Sequence, residues 1–244
     1  MLLVQIALAF VLGYLYGSVP SAYLLVRLTR GIDLRNHGTG NIGISNAVQQ
    51  AGAWVVFPLI VYDVFIKGWL PVFLASGVLL KLGVPTQIAI GVGVIAGHNW
   101  PAYLHFHGGR GLAPSLGVLL ALHWPLLLAF GGVAAAIWAP TRNSPIAWFV
   151  ATLALPVLAA VMQFLPADLV PIASIRPPGW TVLFGVIYVF LVLFRRLLGS
   201  WPGGQHPRPN GVSWTRIAIN RLVLDRDTAS REEWIKRRPA QVSS

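Results

Sequence analysis

The residues with the clearest chemical potential lie in two glycine-rich turns. The first, Gly31-Ile-Asp-Leu-Arg-Asn-His-Gly-Thr-Gly-Asn-Ile-Gly-Ile-Ser-Asn46, is polar and basic while its surroundings are oily. Backbone N–H groups at Gly38, Gly40 and Gly43, hydroxyls at Thr39 and Ser45, and the Arg35 guanidinium make a cradle suited to a phosphate. The second turn, His105-Phe-His-Gly-Gly-Arg-Gly111, offers Gly108, Gly109, Arg110 and Gly111, with Ser115 close behind. A helix is predicted to start at Leu112, so its N-terminal dipole would add to Arg110 in attracting an anion. Glycine also serves tight turns and close helix contacts, so neither turn suffices by itself. Together they say more, because both are polar, both are placed on one side and each precedes a helix.

The elements that must position these turns are apolar. Hydrophobic residues make up 56% of 244 and charged residues 10%, and the mean hydropathy is +0.69. This excludes a soluble domain of average make-up and predicts an integral membrane protein, an all-α polytopic bundle. A first span reads from Leu2 to about Leu28, with no Lys or Arg before it and Arg27, Arg30 and Arg35 behind. That charge order is wrong for a cleaved signal peptide, and it puts the N-terminus outside and the first turn in the cytoplasm. Further spans read from Ala51 to about Leu82 and from Val84 to about Leu104, returning the second turn to the cytoplasmic side. Trp124-Pro125 divides the apolar stretch from Leu112 to Ala139 into two helices, the first short. Spans from Pro145 to Leu165 and from Gly179 to about Phe194 complete seven transmembrane segments, with Pro166 to Pro178 a proline-rich loop. Arg110, Arg142 and Arg195 then lie inside with the C-terminus, and only Lys81 and Arg176 outside.

Other candidates carry two readings each. Asp63 and Lys67 interrupt a span four residues apart, as a structural ion pair on one helical face or as catalytic groups. His98, in Gly97-His-Asn-Trp-Pro101, is a hydrogen-bonded structural residue or a base. Asp33 holds Arg35 or caps the first turn. Cysteine is absent, and the six histidines are scattered; His105 and His107 alone suggest a metal by spacing, so no metal site is expected. The formal charge of +11 serves orientation in the membrane or attraction to anionic lipid or substrate, and no nucleic-acid partner is expected.

The chain divides into a membrane domain, 1–199, and a basic cytoplasmic tail, 200–244. Trp201 to Asn210 reads as an irregular linker, Trp214 to Leu224 as a short amphipathic helix, and Ser230-Arg-Glu-Glu233 as a capping box with Pro239 as a stop. The tail lies on an anionic membrane surface or is simply solvated.

Several stretches carry a family resemblance. Gly17-Ser-Val-Pro20, Gly31-Ile-Asp-Leu-Arg35 and Gly38-Thr-Gly-Asn-Ile-Gly-Ile-Ser-Asn46 resemble the first motif of the bacterial PlsY-type glycerol-3-phosphate acyltransferases. Asp63-Val-Phe-Ile-Lys-Gly68 is similar to a further element, and Gly97-His-Asn-Trp-Pro101 with Phe106-His-Gly-Gly-Arg-Gly-Leu-Ala113 resembles the second motif. The similarity runs in order over about residues 10 to 200. It implies a seven-span inner-membrane enzyme that moves a fatty acyl group from acyl phosphate to glycerol 3-phosphate, giving lysophosphatidic acid. No cofactor is implied: no metal, acyl-CoA or acyl-carrier protein takes part. Membrane lipids are the surroundings, and a monomer is expected.

By the same resemblance, Thr39, Gly40, Asn41, Ser45 and Asn46 help to bind phosphate, and Gly108, Gly109 and Gly111 line the opposite wall. Arg110 stands where the family typically has a lysine that contacts the acceptor's phosphate. Arg110, Ser45 and Asn46 are the expected catalytic residues, Ser144 a further binding residue, and Arg35, Asp63, Lys67 and His98 supports. Gln49 stands where the family usually has an arginine, and Pro114 where it has a threonine. The third motif, an Arg-His and an Asn-Ile after the last span, is replaced by Phe194-Arg-Arg-Leu-Leu-Gly199, with a loose echo in Thr215-Arg-Ile-Ala-Ile-Asn-Arg-Leu222. Replacements from the tail, such as His206 or Arg216, a different acceptor, lost activity, and an anion-binding or transport protein remain open alternatives.

Overall fold

The computed structural model describes residues 1–76, 79–164, 179–199, 212–230 and 232, and all regular structure among them is helical. Helix α1 (Leu2–Gly17) is followed after Pro20 by α2 (Ser21–Arg30), so the predicted first span is broken at Ser18 to Pro20. Helix α3 (Ile44–Ala51) follows the first turn, and α4 is the continuous helical run Ala53–Ala75. Then come α5 (Val84–Asn99), α6 (Leu112–Thr141), α7 (Ser144–Met162), α8 (Trp180–Leu198) and α9 (Trp214–Leu224). The run Leu2–Arg30, α4, α6, α7 and α8 are each long and apolar enough to cross a membrane. Their large apolar side chains face outward, among them Leu3, Leu8, Leu128, Val157 and Phe190. Such a surface suits hydrocarbon and not water.

Helix α5 has 16 residues, and twelve of them are buried. It forms the centre of the bundle because glycine lets α1 approach it closely. Added methyl groups at Gly13 and Gly17 would overlap the carbonyl oxygens of Ile90 and Val94. At Gly93 and Gly97 they would overlap those of Phe10 and Tyr14. In lipid, where apolar burial gives no advantage, such close packing is what joins helices. A second close contact sets Gly68 of α4 against Pro114 and Gly117 of α6.

Helix α4 widens into a π-helix over Val61–Trp69, with Asp63 and Lys67 on its inner face. Helix α6 breaks at His123, whose backbone is non-helical, one residue before the Trp124-Pro125 step where the sequence predicts two helices. Pro125 has no N–H to donate, and the His123 ring accepts the Leu126 N–H at 3.1 Å, so the second arm starts with its own cap. The break adjoins Val84 and Ile88 of α5 and Thr181 and Phe184 of α8 around a small apolar cavity. Both ends of α6 lie at the opposite end of α8. The residues just before it bond Arg195, and Pro145, just after it, accepts from Arg196 at 3.2 Å.

The other predicted spans end earlier or later than the apolar run suggests: α4 stops at Ala75, α5 at Asn99, and α8 continues to Leu198. Helix α9 forms where an amphipathic helix is expected and packs on α7 and α8. The proline-rich loop, the linker with His206, the end of the capping box and Pro239 lie outside the described residues.

Candidate active site

The first turn is organised from within. Asp33 caps a short 3-10 turn, Leu34–Asn36, by accepting the Arg35 N–H at 3.0 Å, and also grips the Arg35 guanidinium through both carboxylate oxygens, at 3.0 and 2.7 Å. That guanidinium stacks 5.3 Å from the Tyr23 ring centre. Partial burial pushes the Asp33 carboxyl up, but the hydrogen bonds and charge of Arg35 outweigh it and hold the group below the usual carboxylate range. The hydrogen bond to Asp33 raises Arg35 in turn, ahead of the opposing effect of burial. Both readings of Asp33 hold together.

Asn46 is the hub of the turn. Its buried Nδ2 lies 3.1, 3.0 and 2.9 Å from the carbonyl oxygens of Leu34, His37 and Asn41, while its Oδ1 accepts the Thr39 N–H at 3.3 Å. An expected catalytic residue is thus occupied in shaping the loop. Gly38 has a φ of +58°, and a side chain there would also collide with Asn46 Oδ1, so glycine is required twice over. Ser45 and Gln49 are exposed, one turn apart on α3. Asn41 Oδ1 is buried with no hydrogen-bond partner among the described residues. It is an acceptor available to a ligand.

The second turn is organised from far away. Arg195, 4% exposed in the last turn of α8, donates to the carbonyls of Gly109 at 3.0 Å, Gly108 at 2.7 Å and Gly199. The sequence suggests no more for Arg195 than an inward-facing charge marking the membrane's cytoplasmic side; it is instead a buried clamp on the turn. Gly109 donates its N–H to the His98 carbonyl at 3.0 Å and leans on the His98 ring, so closely that a methyl group would overlap Nε2. Gly111, at φ +73°, ends the turn over the Asn99 carboxamide and opens α6. Neither polar end of the Asn99 side chain has a hydrogen-bond partner among the described residues. Ser115 donates its hydroxyl to Gly111 at 2.5 Å, which turns it away from the role suggested by the sequence. Pro114 brings no N–H to the first turn of α6. Arg110 donates to the Arg195 carbonyl at 3.2 Å and forms an ion pair with Asp225 at 3.0 Å.

The two turns meet. Leu104, just before the second, is buried with Leu34 and Ile42 of the first and with Ala47 and Val55 beyond it. The Ala102 N–H donates to Ser18 Oγ at 3.4 Å, and Tyr14 Oη donates to the Trp100 carbonyl at 2.8 Å, fixing the start of the second turn to the end of α1. Behind them, Lys67 and Asp63 pair at 2.7 Å, both 1% exposed, and Ser21 bridges them, donating to Asp63 at 2.6 Å and accepting from Lys67 at 3.3 Å. The charges neutralise each other as a paired intramembrane acid and base should. His105 and Phe106 adopt positive φ on the exposed side, and the His107 ring lies 3.2 Å from the Leu104 carbonyl. Ser144 is exposed at the start of α7, beside Pro145, whose carbonyl Arg196 grips. Arg216 is exposed on α9. Sequence reasoning missed Arg195 and Asp225, because neither lies near its partner along the chain. It also missed the helix contact written in Gly13-x-x-x-Gly17 and Gly93-x-x-x-Gly97, a spacing that announces close packing.

A family model described as glycerol-3-phosphate acyltransferase matches residues 7–197. "Glycerol-3-phosphate acyltransferase 5" of Dehalococcoides mccartyi is 38% identical over 229 residues, 93% of this chain and 91% of that protein. The glycerol-3-phosphate acyltransferase of Myxococcus xanthus is 43% identical over 134 residues, 54% of this chain and 68% of that protein. Among solved structures, PlsY (YgiH), an integral membrane glycerol 3-phosphate acyltransferase in its glycerol 3-phosphate form, shares the fold with a TM-score of 0.65 at 24% identity, covering 78% of this chain and 88% of that one. Its lysophosphatidic acid form gives 0.63 at 22% identity, covering 78% and 87%. With both glycine-rich turns, the paired intramembrane charges and the helical bundle inside the matched region, the chain belongs to the glycerol-3-phosphate acyltransferase family.

Proposed function

We propose that this protein transfers a fatty acyl group from acyl phosphate to glycerol 3-phosphate, forming lysophosphatidic acid for phospholipid synthesis. The observation that carries the reading is a pair of glycine-rich turns joined at their base by one buried cluster, with Arg110 in the second just before the N-terminus of α6, in a chain of this family. In the reaction, a hydroxyl oxygen of the acceptor attacks the acyl carbonyl carbon. The new ester C–O bond forms as the acyl–phosphate C–O bond breaks. Inorganic phosphate leaves with the bond's electron pair, and a phosphate oxygen takes the hydroxyl proton. Arg110 and the N–H groups of Gly108, Gly109 and Gly111 stabilise charge building on the carbonyl oxygen and the leaving phosphate. Thr39, Gly40, Asn41 and the outward Ser45 hold the phosphate on the facing side, Asn41 Oδ1 accepts a hydroxyl of the acceptor, and Ser144 borders the entrance. Asn46, Arg35, Asp63, Lys67 and His98 keep these groups in place. Because acyl phosphate is already activated, no protein nucleophile is needed.

The proposed setting is the inner membrane, with the site on the cytoplasmic face, the N-terminus outside and the protein a monomer. Seven crossings follow if the two arms of α6 run in opposite directions. Support comes from both ends of α6 lying beside Arg195 and Arg196 while the break at His123 lies beside the start of α8. Residues 1–199 would be the catalytic domain and 200–244 the tail.

Gln49 and Pro114, which bring neither a cation nor a hydroxyl to the site, favour one second reading, an acceptor other than glycerol 3-phosphate. Purified protein in detergent, supplied with palmitoyl phosphate and a panel of alcohols, tests both. Lysophosphatidic acid formed from glycerol 3-phosphate supports the proposal. Acylation of another alcohol alone supports the second reading, and release of phosphate with no acylated product rejects both.

A further inference from the structure

Of the two acidic side chains in the docked segment 212–230, Asp227 is buried and answered inside the segment by Arg221, at 2.5 Å. Asp225 is not. It ends α9 in a left-handed conformation at φ +56° and carries its carboxylate out of the segment to Arg110 in the second turn, 3.0 Å away. A guanidinium is a planar fork whose donors work only when the plane is correctly set. Two ends of the Arg110 guanidinium are held by α8 and the segment: Nη1 donates to the Arg195 carbonyl at 3.2 Å, and Nη2 is drawn to Asp225 Oδ1 by the charge of an ion pair without hydrogen-bond geometry.

We propose that Asp225 is a positioning residue of the phosphate site, which sets the plane of the Arg110 guanidinium so that the tail segment completes the site. This deepens the function proposed above and rests on it. A removable plug would be expected to sit loosely, whereas this segment is built in. Ile217, Asp227 and Thr228 are buried, Arg196 donates to the Leu222 carbonyl at 2.5 Å, and Arg221 donates to the Leu197 carbonyl at 2.9 Å. The family model ends at residue 197, but the match to the Dehalococcoides mccartyi relative covers 93% of the chain and therefore runs on into α9.

The test uses the full-length protein in detergent with palmitoyl phosphate and glycerol 3-phosphate. Asp225→Asn should lower kcat roughly tenfold while KM for glycerol 3-phosphate changes less than about threefold, since a misaimed cation fails the charge that builds in the transition state more than it weakens capture. Asp225→Glu should recover most of the loss, and the unfolding temperature without ligand should not move. In an Arg110→Lys background, Asp225→Asn should add little, because an ammonium needs no fixed plane. An unchanged kcat in Asp225→Asn overturns the proposal, as does faster turnover, which would make the segment a restraint. A fall in unfolding temperature that tracks the lost activity and that glutamate does not rescue also overturns it, leaving only a structural role. If wild-type protein does not turn over, the proposed function fails on its own. The dissociation constant for inorganic phosphate then decides the matter: a value unaffected by Asp225→Asn, or no binding at all, overturns the inference as well.

Discussion

The two glycine-rich turns are similar in sequence and opposite in construction. The first is tied by its own neighbours: Asn46 reaches carbonyls no more than twelve residues away, and Asp33 grips Arg35 two residues on. The second is tied by strangers: Arg195 clamps Gly108 and Gly109 across more than eighty residues, and Asp225 holds Arg110 from the tail. A locally closed loop keeps its shape when distant parts change. A loop held at long range reports the state of the whole bundle, so the second turn is where a change in the last helix or the tail is felt.

The contrast can be broken most forcefully at Arg195. Arg195→Ala removes charge-assisted hydrogen bonds worth about 1.5–3 kcal/mol each and leaves buried carbonyls unanswered. Turnover should fall at least about 100-fold and the unfolding temperature should drop, by activity assay and thermal unfolding in detergent. Arg195→Lys should rescue little, since one ammonium cannot span carbonyls that a fork reaches together. Next in size is Asn46→Ala, which deprives three carbonyls of a donor and should cost about 2–4 kcal/mol of stability, read as a shift in unfolding midpoint. Its damage should stay in the first turn. Protease cleavage or hydrogen exchange should rise over 31–46 and not over 105–111, whereas Arg195→Ala should do the reverse. At the α1–α5 contact, Gly97→Ala pushes a methyl group into the Tyr14 carbonyl and should cost about 1–3 kcal/mol, lowering the unfolding temperature of the whole bundle.

The smallest effect is the pH dependence of Asp33. Its folded pKa lies below the unfolded value, so its pairing with Arg35 stabilises the protein above the ordinary carboxylate range, about pH 3.9. That contribution fades as pH falls through the folded pKa. Because the pair is partly exposed, the difference between wild type and Asp33→Asn should be under about 1 kcal/mol at neutral pH and should vanish in acid, as followed by thermal unfolding across pH.

What the sequence discloses follows the same division between near and far. Apolar runs announce the helices, the four-residue spacing of Asp63 and Lys67 announces their pairing, and Pro125 announces a break in α6. Each of these depends on contacts within one or two helical turns. The role of Asn46 is half legible: its residue type and place suit phosphate, and only the folded loop reveals that its amide faces inward to three carbonyls. Arg195 is legible as a charge marking a membrane boundary and not as a clamp, because nothing along α8 points to residues 108 and 109. The tail reads as a basic appendage, on a membrane surface or simply solvated. Its docking depends on a few side chains meeting α8 and the second turn, a pattern with no periodicity to find.

The claim at the centre of this account is that Arg110, held by α8 and the tail, faces the reacting phosphate. Initial rates of inorganic phosphate release from palmitoyl phosphate, with and without glycerol 3-phosphate, in wild type and Arg110→Ala test it most directly. The account predicts acceptor-dependent release by the wild type and a loss of at least about 100-fold in the variant, with its unfolding temperature retained. Equal rates in the two proteins would contradict it.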